Sequence, residues 1–273
     1  MATLIAHLVV GERVSAMMQR LRSSSQVYGA FLLGCVLVDA NSYSGLGRHQ
    51  THFTRLSDGE GRSTPRGSCG SFLKQLDSLL LCHWDALSEP EQAFVAGYLC
   101  HLAADEAWLE VSWGLLQELG LRAWEDLPVP AEAMLLTFNE LSQDLFADFS
   151  VIDSALNSAD IPQVFAHVSQ RAFRKMWDSA QAYVLDGGSL ESYLALLGSQ
   201  GKTYEEIQTV RQHGEGYREE AIALIKAAGG IERFICAAVE RSVQVIPQLW
   251  VEGSVGGQTC RSTGSVSGRL PFE

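Results

Sequence analysis

Apolar positions recur at three- and four-residue spacing along almost the whole chain, which predicts one helix after another. The first spans about residues 3 to 21, with Leu4, Leu8, Met18 and Leu21 among its apolar positions. The second, about Gln26 to Asp39, is apolar on most sides and is expected to be buried. Residues 40 to 66 break the periodicity and are rich in Gly, Ser and Arg. They read as a long loop, and loops of that length in compact domains are often functional. Helix resumes over about Ser71 to Leu87. Ser88 and Glu91 have the spacing of a capping box and open the helix that carries His101. Gly120 ends the helix that follows, and Pro128 and Pro130 mark a connector. Further helices are expected at about 131–148, 162–184 and 189–199. Thr203 and Glu206 form a second capping box, opening a helix to about Ala228, and a last helix covers about 230–250. No strand pattern and no internal repeat is present. The expectation is an all-α, multi-helix single domain over residues 1–251, followed by a disordered Gly/Ser-rich tail over 252–273.

Composition narrows the function classes. With 47% hydrophobic and 19% charged residues, the chain can bury a sizeable core. A formal net charge of -12 argues against holding nucleic acid on a basic surface. It leaves a phosphate substrate open, because a bound metal reverses the local sign of charge. No apolar run approaches the roughly 20 residues of a membrane span, and the N-terminal residues lack a basic leader. Cys35, Cys82, Cys100 and Cys236 lie in apolar helical context, and none of the cysteines forms a close pair. Buried free thiols are therefore expected, and with them a cytoplasmic protein.

The chemistry concentrates in Gly97-Tyr98-Leu99-Cys100-His101-Leu102-Ala103-Ala104-Asp105. On a helix, His101 and Asp105 share one face. Both are good zinc ligands, and a metal explains why an apolar stripe should carry them. Gly97, one turn before His101, leaves room beside the imidazole. Asp39 closes the second apolar helix, although helix C-termini favour cations. It reads either as a carboxylate emerging into solvent or as a metal ligand. His7 lies on the first helix with Gly11 one turn on, and taken alone reads as a core histidine. His52 lies in Thr51-His52-Phe53, and His49 makes an H-x-x-H with it as an alternative ligand. His83 beside Trp84 reads as structural, Trp108 as a core residue, and Arg48, Arg55, Arg62 and Arg66 as a solvated loop.

The ordered set of an early His7, Gly34-x4-Asp39, Thr51-His52-Phe53 and Gly97-Tyr98-Leu99-x-His101-x3-Asp105-x2-Trp108 resembles the zinc-dependent phospholipase C family. The same superfamily includes single-strand-specific nucleases. The resemblance covers roughly the first 110 residues. It implies an all-helical fold in which Asp39, His52, His101 and Asp105 surround one zinc, with Asp105 bridging to a second metal touched by His7. The family's third zinc uses two further histidines and a glutamate, with one His–Glu pair a turn apart. Here His167 has Gln163 and Arg171 as helical neighbours, and His213 has Thr209 and Tyr217. One or two zinc ions are therefore expected.

The resemblance implies a metal-dependent phosphoester hydrolase acting on a small-molecule phosphoester or a lipid headgroup. Zinc would lower the pKa of bound water and stabilise charge on the phosphoryl oxygens, with Asp39 or Asp105 also orienting the attacking water. A second helical phosphohydrolase class requires an adjacent His-Asp pair, which this chain lacks. The alternative is a non-catalytic metal-binding or interaction protein that keeps the fold with an incomplete zinc cluster.

Overall fold

The computed structural model describes residues 3–56, 63–64, 67–122, 126–145, 149–186 and 188–255. It is an all-α single domain. The helices are α1 (Leu4–Met17), α2 (Ser25–Leu37), α3 (Asn41–Ser44), α4 (Arg48–Thr51), α5 (Ser68–Leu79), α6 (Glu89–Glu118), α7 (Ala131–Gln143), α8 (Phe149–Ser158), α9 (Gln170–Leu185), α10 (Leu190–Ser199), α11 (Tyr204–Gly216), α12 (Arg218–Ala227), α13 (Gly230–Val245) and α14 (Gln248–Val255). None among the described residues is long and apolar enough to cross a membrane.

The apolar α2 is the centre of the molecule, buried continuously from Val27 to Leu37. It crosses α6 at two glycines. A Cβ on Gly97 would lie 2.0 Å from the carbonyl oxygen of Phe31, and one on Gly34 would lie 2.2 Å from that of Phe94. On its other side Gly29 meets α8, where a Cβ would stand 2.0 Å from Ala155 O. Gly97 therefore serves backbone contact between two helices, not room beside the imidazole. Gly11 likewise faces Cys35, whose Sγ a Cβ would approach to 2.8 Å. Helices α1 and α13 complete the core against α6 and α2.

Local signals place several helix ends. The Ser88/Glu91 and Thr203/Glu206 capping boxes both form. At Gly120 (φ 69°), the Leu121 N–H bonds to Leu116 O at 2.8 Å and the Gly120 N–H to Gln117 O at 3.1 Å, a Schellman closure. One helix, α6, runs from the Ser88 box to this closure.

Other expectations are corrected. The stretch 40–66 is not a bare loop: it follows directly on a 3-10 turn at Val38–Ala40 and holds α3, α4 and a two-residue antiparallel pair. That pair, β1 (Arg55–Leu56) with β2 (Ser63–Thr64), is a strand feature the periodicity did not suggest. The expected helix at 71–87 occupies Ser68–Leu79 instead, because Leu80 turns extended and pairs with Phe165. The same pairing takes residues 162–169 out of the next expected helix, which starts at Gln170 behind the Ser169 cap. Helix 131–148 stops at Gln143, and α8 was not anticipated. The expected 203–228 helix breaks at Tyr217, and the 230–250 helix breaks around Pro247, which has no N–H to give. Helix α14 extends into the segment expected to be disordered, and residues 256–273 lie outside the described residues. Cys35, Cys69 and Cys100 are buried free thiols, whereas Cys82 and Cys236 are exposed, one past the end of α5 and one on the outer face of α13. Cys260 is outside the described residues.

Candidate metal centre

Four chain segments deliver the polar cluster. Helix α1 carries His7, the 3-10 turn after α2 carries Asp39, the end of α4 leads into His52, and α6 carries His101 and Asp105. His7, His52, His101 and Asp105 are each at most 2% exposed, whereas the Asp39 side chain keeps 27% of its surface.

A backbone carbonyl defines the tautomer of His101. His101 Nδ1 lies 2.8 Å from the carbonyl oxygen of Cys35, which only accepts, so Nδ1 holds the proton and Nε2 presents a lone pair. The Thr51 hydroxyl stands 3.3 Å from Arg48 O and 2.9 Å from His52 Nδ1, and His52 Nε2 faces Asp39 Oδ1 at 3.2 Å. Tyr98 anchors this turn to α6 by donating its hydroxyl to Thr51 O at 2.5 Å. Phe53 takes a left-handed φ of 52° at the end of the turn, packed on Phe72 with ring centroids 5.2 Å apart. The His7 ring stacks on His101 with centroids 3.7 Å apart.

His7 Nε2, His52 Nε2, His101 Nε2 and Asp105 Oδ1 are buried and make no hydrogen bond among the described residues. Two overlapping groups bring ligand atoms within 4.8 Å of one another: His7 with His101 and Asp105, and Asp39 with His52 and His101. A buried polar atom without a partner is costly, and a cation accepting all these lone pairs would remove that cost. These groups can hold a metal ion, and their chemistry does not single out which one.

Arg48, expected in a solvated loop, joins the cluster. It is not a solvated loop residue: its Nη1 donates to Asp39 Oδ1 at 2.6 Å and its Nη2 to Asp105 Oδ2 at 2.7 Å. Its position four residues before His52, on the same turn, was the available signal. The side chain of Arg55 and the positions of Arg62 and Arg66 lie outside what is described. His49 points to solvent, His83 is exposed while Trp84 is buried, and His167 packs near Phe165 and Phe53. Between α7 and α11, His213 Nδ1 comes 3.5 Å from Glu132 Oε2, an acid–histidine pair that spacing along one helix does not reveal.

A cavity of about 530 Å³ has Trp108 of α6 in its wall, with Met134, Leu135, Tyr193 and Leu197, and with Glu132 and Lys202 also contributing. Trp108, one turn past Asp105, is thus a wall as well as a packing residue, with its ring 4.5 Å from that of Phe138. Burial, then the nearby carboxylates of Glu132 and Asp39, pushes the Tyr193 phenol up to about 12.

Burial pushes the imidazole pKa values of His7 and His101 below the ordinary 6.5. Burial opposes ionisation of Asp39 and Asp105 most strongly, but the Arg48 guanidinium and the neighbouring histidines together outweigh it and hold both carboxyls below the ordinary 3.8. All four groups bind protons more weakly folded than unfolded. Their contribution to stability is complete above about pH 6.5 and is lost as pH falls, first through the histidines and then, below about pH 4, through the carboxylates. Thermal melting of the metal-free protein is expected to be flat from pH 8 to 7 and to decline in these two stages. A melting temperature constant from pH 8 to pH 5 contradicts this reading.

Compared with known proteins, the chain matches no family model, no curated protein and no solved structure.

Proposed function

We propose that the chain is a metal-dependent phosphoester hydrolase, similar to zinc-dependent phospholipase C, with His7, Asp39, His52, His101 and Asp105 as its ligand set. The observation that carries the reading is the convergence of three unpartnered imidazole Nε2 atoms and Asp105 Oδ1 in one buried cluster. A divalent ion held there lowers the pKa of water and offsets negative charge developing on phosphoryl oxygens. The protein's own part is orientation. The Cys35 carbonyl fixes the tautomer that aims the His101 lone pair inward, and the Thr51 hydroxyl positions the His52 ring, as outer partners do in metal sites. Asp39, the more open carboxylate, would also orient the attacking water. The wall of Trp108, Met134 and Tyr193 fits the organic part of an ester, whether a small molecule or a lipid headgroup. The free buried thiols accord with a reducing compartment, and we place the protein in the cytoplasm.

The test is elemental mass spectrometry on protein purified without chelator, alongside His101→Ala, followed by a panel of phosphomonoesters and phosphodiesters. The reading expects about one or two zinc ions per chain, reduced in the variant, and hydrolysis of at least one ester. A folded protein that takes up no stoichiometric metal, even after zinc reloading, refutes it. One observation favours a second reading, a non-catalytic binding protein: Arg48 already pairs with both carboxylates. Stoichiometric metal with no activity across the panel is the outcome that reading expects.

A further inference from the structure

Arg48 and His52 reach the cluster on the same turn, with the His52 N–H bonded to Arg48 O at 2.8 Å. The guanidinium takes one oxygen from each carboxylate. The oxygen it takes from Asp39, Oδ1, is also the one 3.2 Å from His52 Nε2. An ion shared by Asp39 and His52 through this close pair of atoms would compete with the guanidinium for that oxygen. The other carboxylate differs: Arg48 holds Asp105 Oδ2, while Asp105 Oδ1, facing His7 Nε2 at 3.6 Å, has no hydrogen bond. Two carboxylates against one guanidinium leave the cluster one negative charge, and the two groups of ligand atoms share His101. A doubly charged ion placed at Asp39 would stand within a few ångströms of the guanidinium and repel it strongly, because this environment is largely shielded from water. The Arg48 side chain keeps 26% of its surface, so it has a route outward.

We propose that Arg48 is an exchangeable counter-cation: in the metal-free chain it bridges Asp39 and Asp105, and an ion entering between Asp39, His52 and His101 displaces it. Metal uptake is then an exchange of cations. The released guanidinium stays tethered four residues from His52, at the mouth of the site. This rests on the reading of the cluster as a metal centre.

The experiment is calorimetric titration with zinc alone of the wild type, Arg48→Gln and Arg48→Lys, with thermal melting of each before and after loading. Arg48→Gln is expected to bind zinc about ten-fold more tightly or better, since a charged competitor is gone. Without metal its melting temperature should fall by roughly 5 °C, because two carboxylates lose their partner, and zinc should restore it. Arg48→Lys keeps a charge but cannot span both carboxylates, so its zinc affinity should lie between the two; it carries the test if the glutamine variant does not fold without metal. Zinc uptake by the wild type together with tighter uptake by Arg48→Gln is the supporting result, and uptake by Arg48→Gln alone overturns the exchange, because Arg48 then blocks the site permanently. If the wild type binds zinc and the variants bind it equally or more weakly, Arg48 orients ligands instead of competing with the ion. The exchange is then overturned while the metal centre stands. If neither the wild type nor the variants bind zinc, both fall.

Discussion

Asp105→Ala is expected to be the most damaging single change in the cluster. The side chain is 3% exposed and receives Arg48 Nη2 at 2.7 Å, while His7 and His101 nitrogens stand 3.6 and 3.9 Å from its oxygens. Removing it leaves a largely desolvated guanidinium with only Asp39 to pair with. Deleting one partner of a buried ion pair costs about 3–5 kcal/mol. The partial exposure of Arg48 puts the expectation near the lower end of that range, because water can reach the orphaned group. The same change removes the carboxylate that stands within reach of both His7 and His101, so metal content should drop together with stability. Urea denaturation read alongside elemental analysis checks both effects. A variant within about 1 kcal/mol of wild type that retains its metal would show that Asp105 is not an organising group, since surface changes typically fall in that range.

The second large effect is expected far from any charge, at Gly97→Ala. Alanine is the better helix former by about 1 kcal/mol, so propensity alone predicts a gain. Packing predicts the reverse. The new Cβ would sit 2.0 Å from Phe31 O and 3.0 Å from the backbone nitrogen of Cys35, both backbone atoms of α2 that no rotamer change can move aside. The helices must part, and overpacking of this kind costs typically 1–3 kcal/mol, occasionally more. Separation here also stretches the bond from His101 Nδ1 to Cys35 O, now 2.8 Å, and so loosens the tautomer and aim of the ligand. The expected net loss is about 2–3 kcal/mol with weaker metal binding. Gly114→Ala supplies the control on the same helix, because its Cβ would meet nothing closer than Arg233 Nη2 at 3.8 Å. That variant should be neutral or more stable by up to about 1 kcal/mol. Equal effects from the two substitutions in thermal melting would rule out the close helix crossing.

What the sequence determined by itself is what neighbouring residues decide among themselves. The capping boxes at Ser88 and Thr203 and the left-handed Gly120 act within a turn of helix, so their residues announce them. The shared face of His101 and Asp105 follows from helical periodicity, and the all-round apolarity of α2 announced its burial. The residues expected to share a site, His7, Asp39, His52, His101 and Asp105, do come together in the fold. Tertiary structure decided everything that depends on which surfaces meet. Residues 162–169 read as helix until their backbone groups found the end of α5, where Leu81 N–H bonds to Val164 O and Ala166 N–H to Leu79 O. Gly97 looked like space for an imidazole until α2 lay against it. Arg48 looked like a solvated loop residue because a guanidinium's partners, here Asp39 and a carboxylate 57 positions away, are invisible to local spacing. Periodicity tells which face of a helix avoids water. The choice between the possible neighbours of that face, and the charges that meet there, is made by packing and electrostatics summed over the whole core.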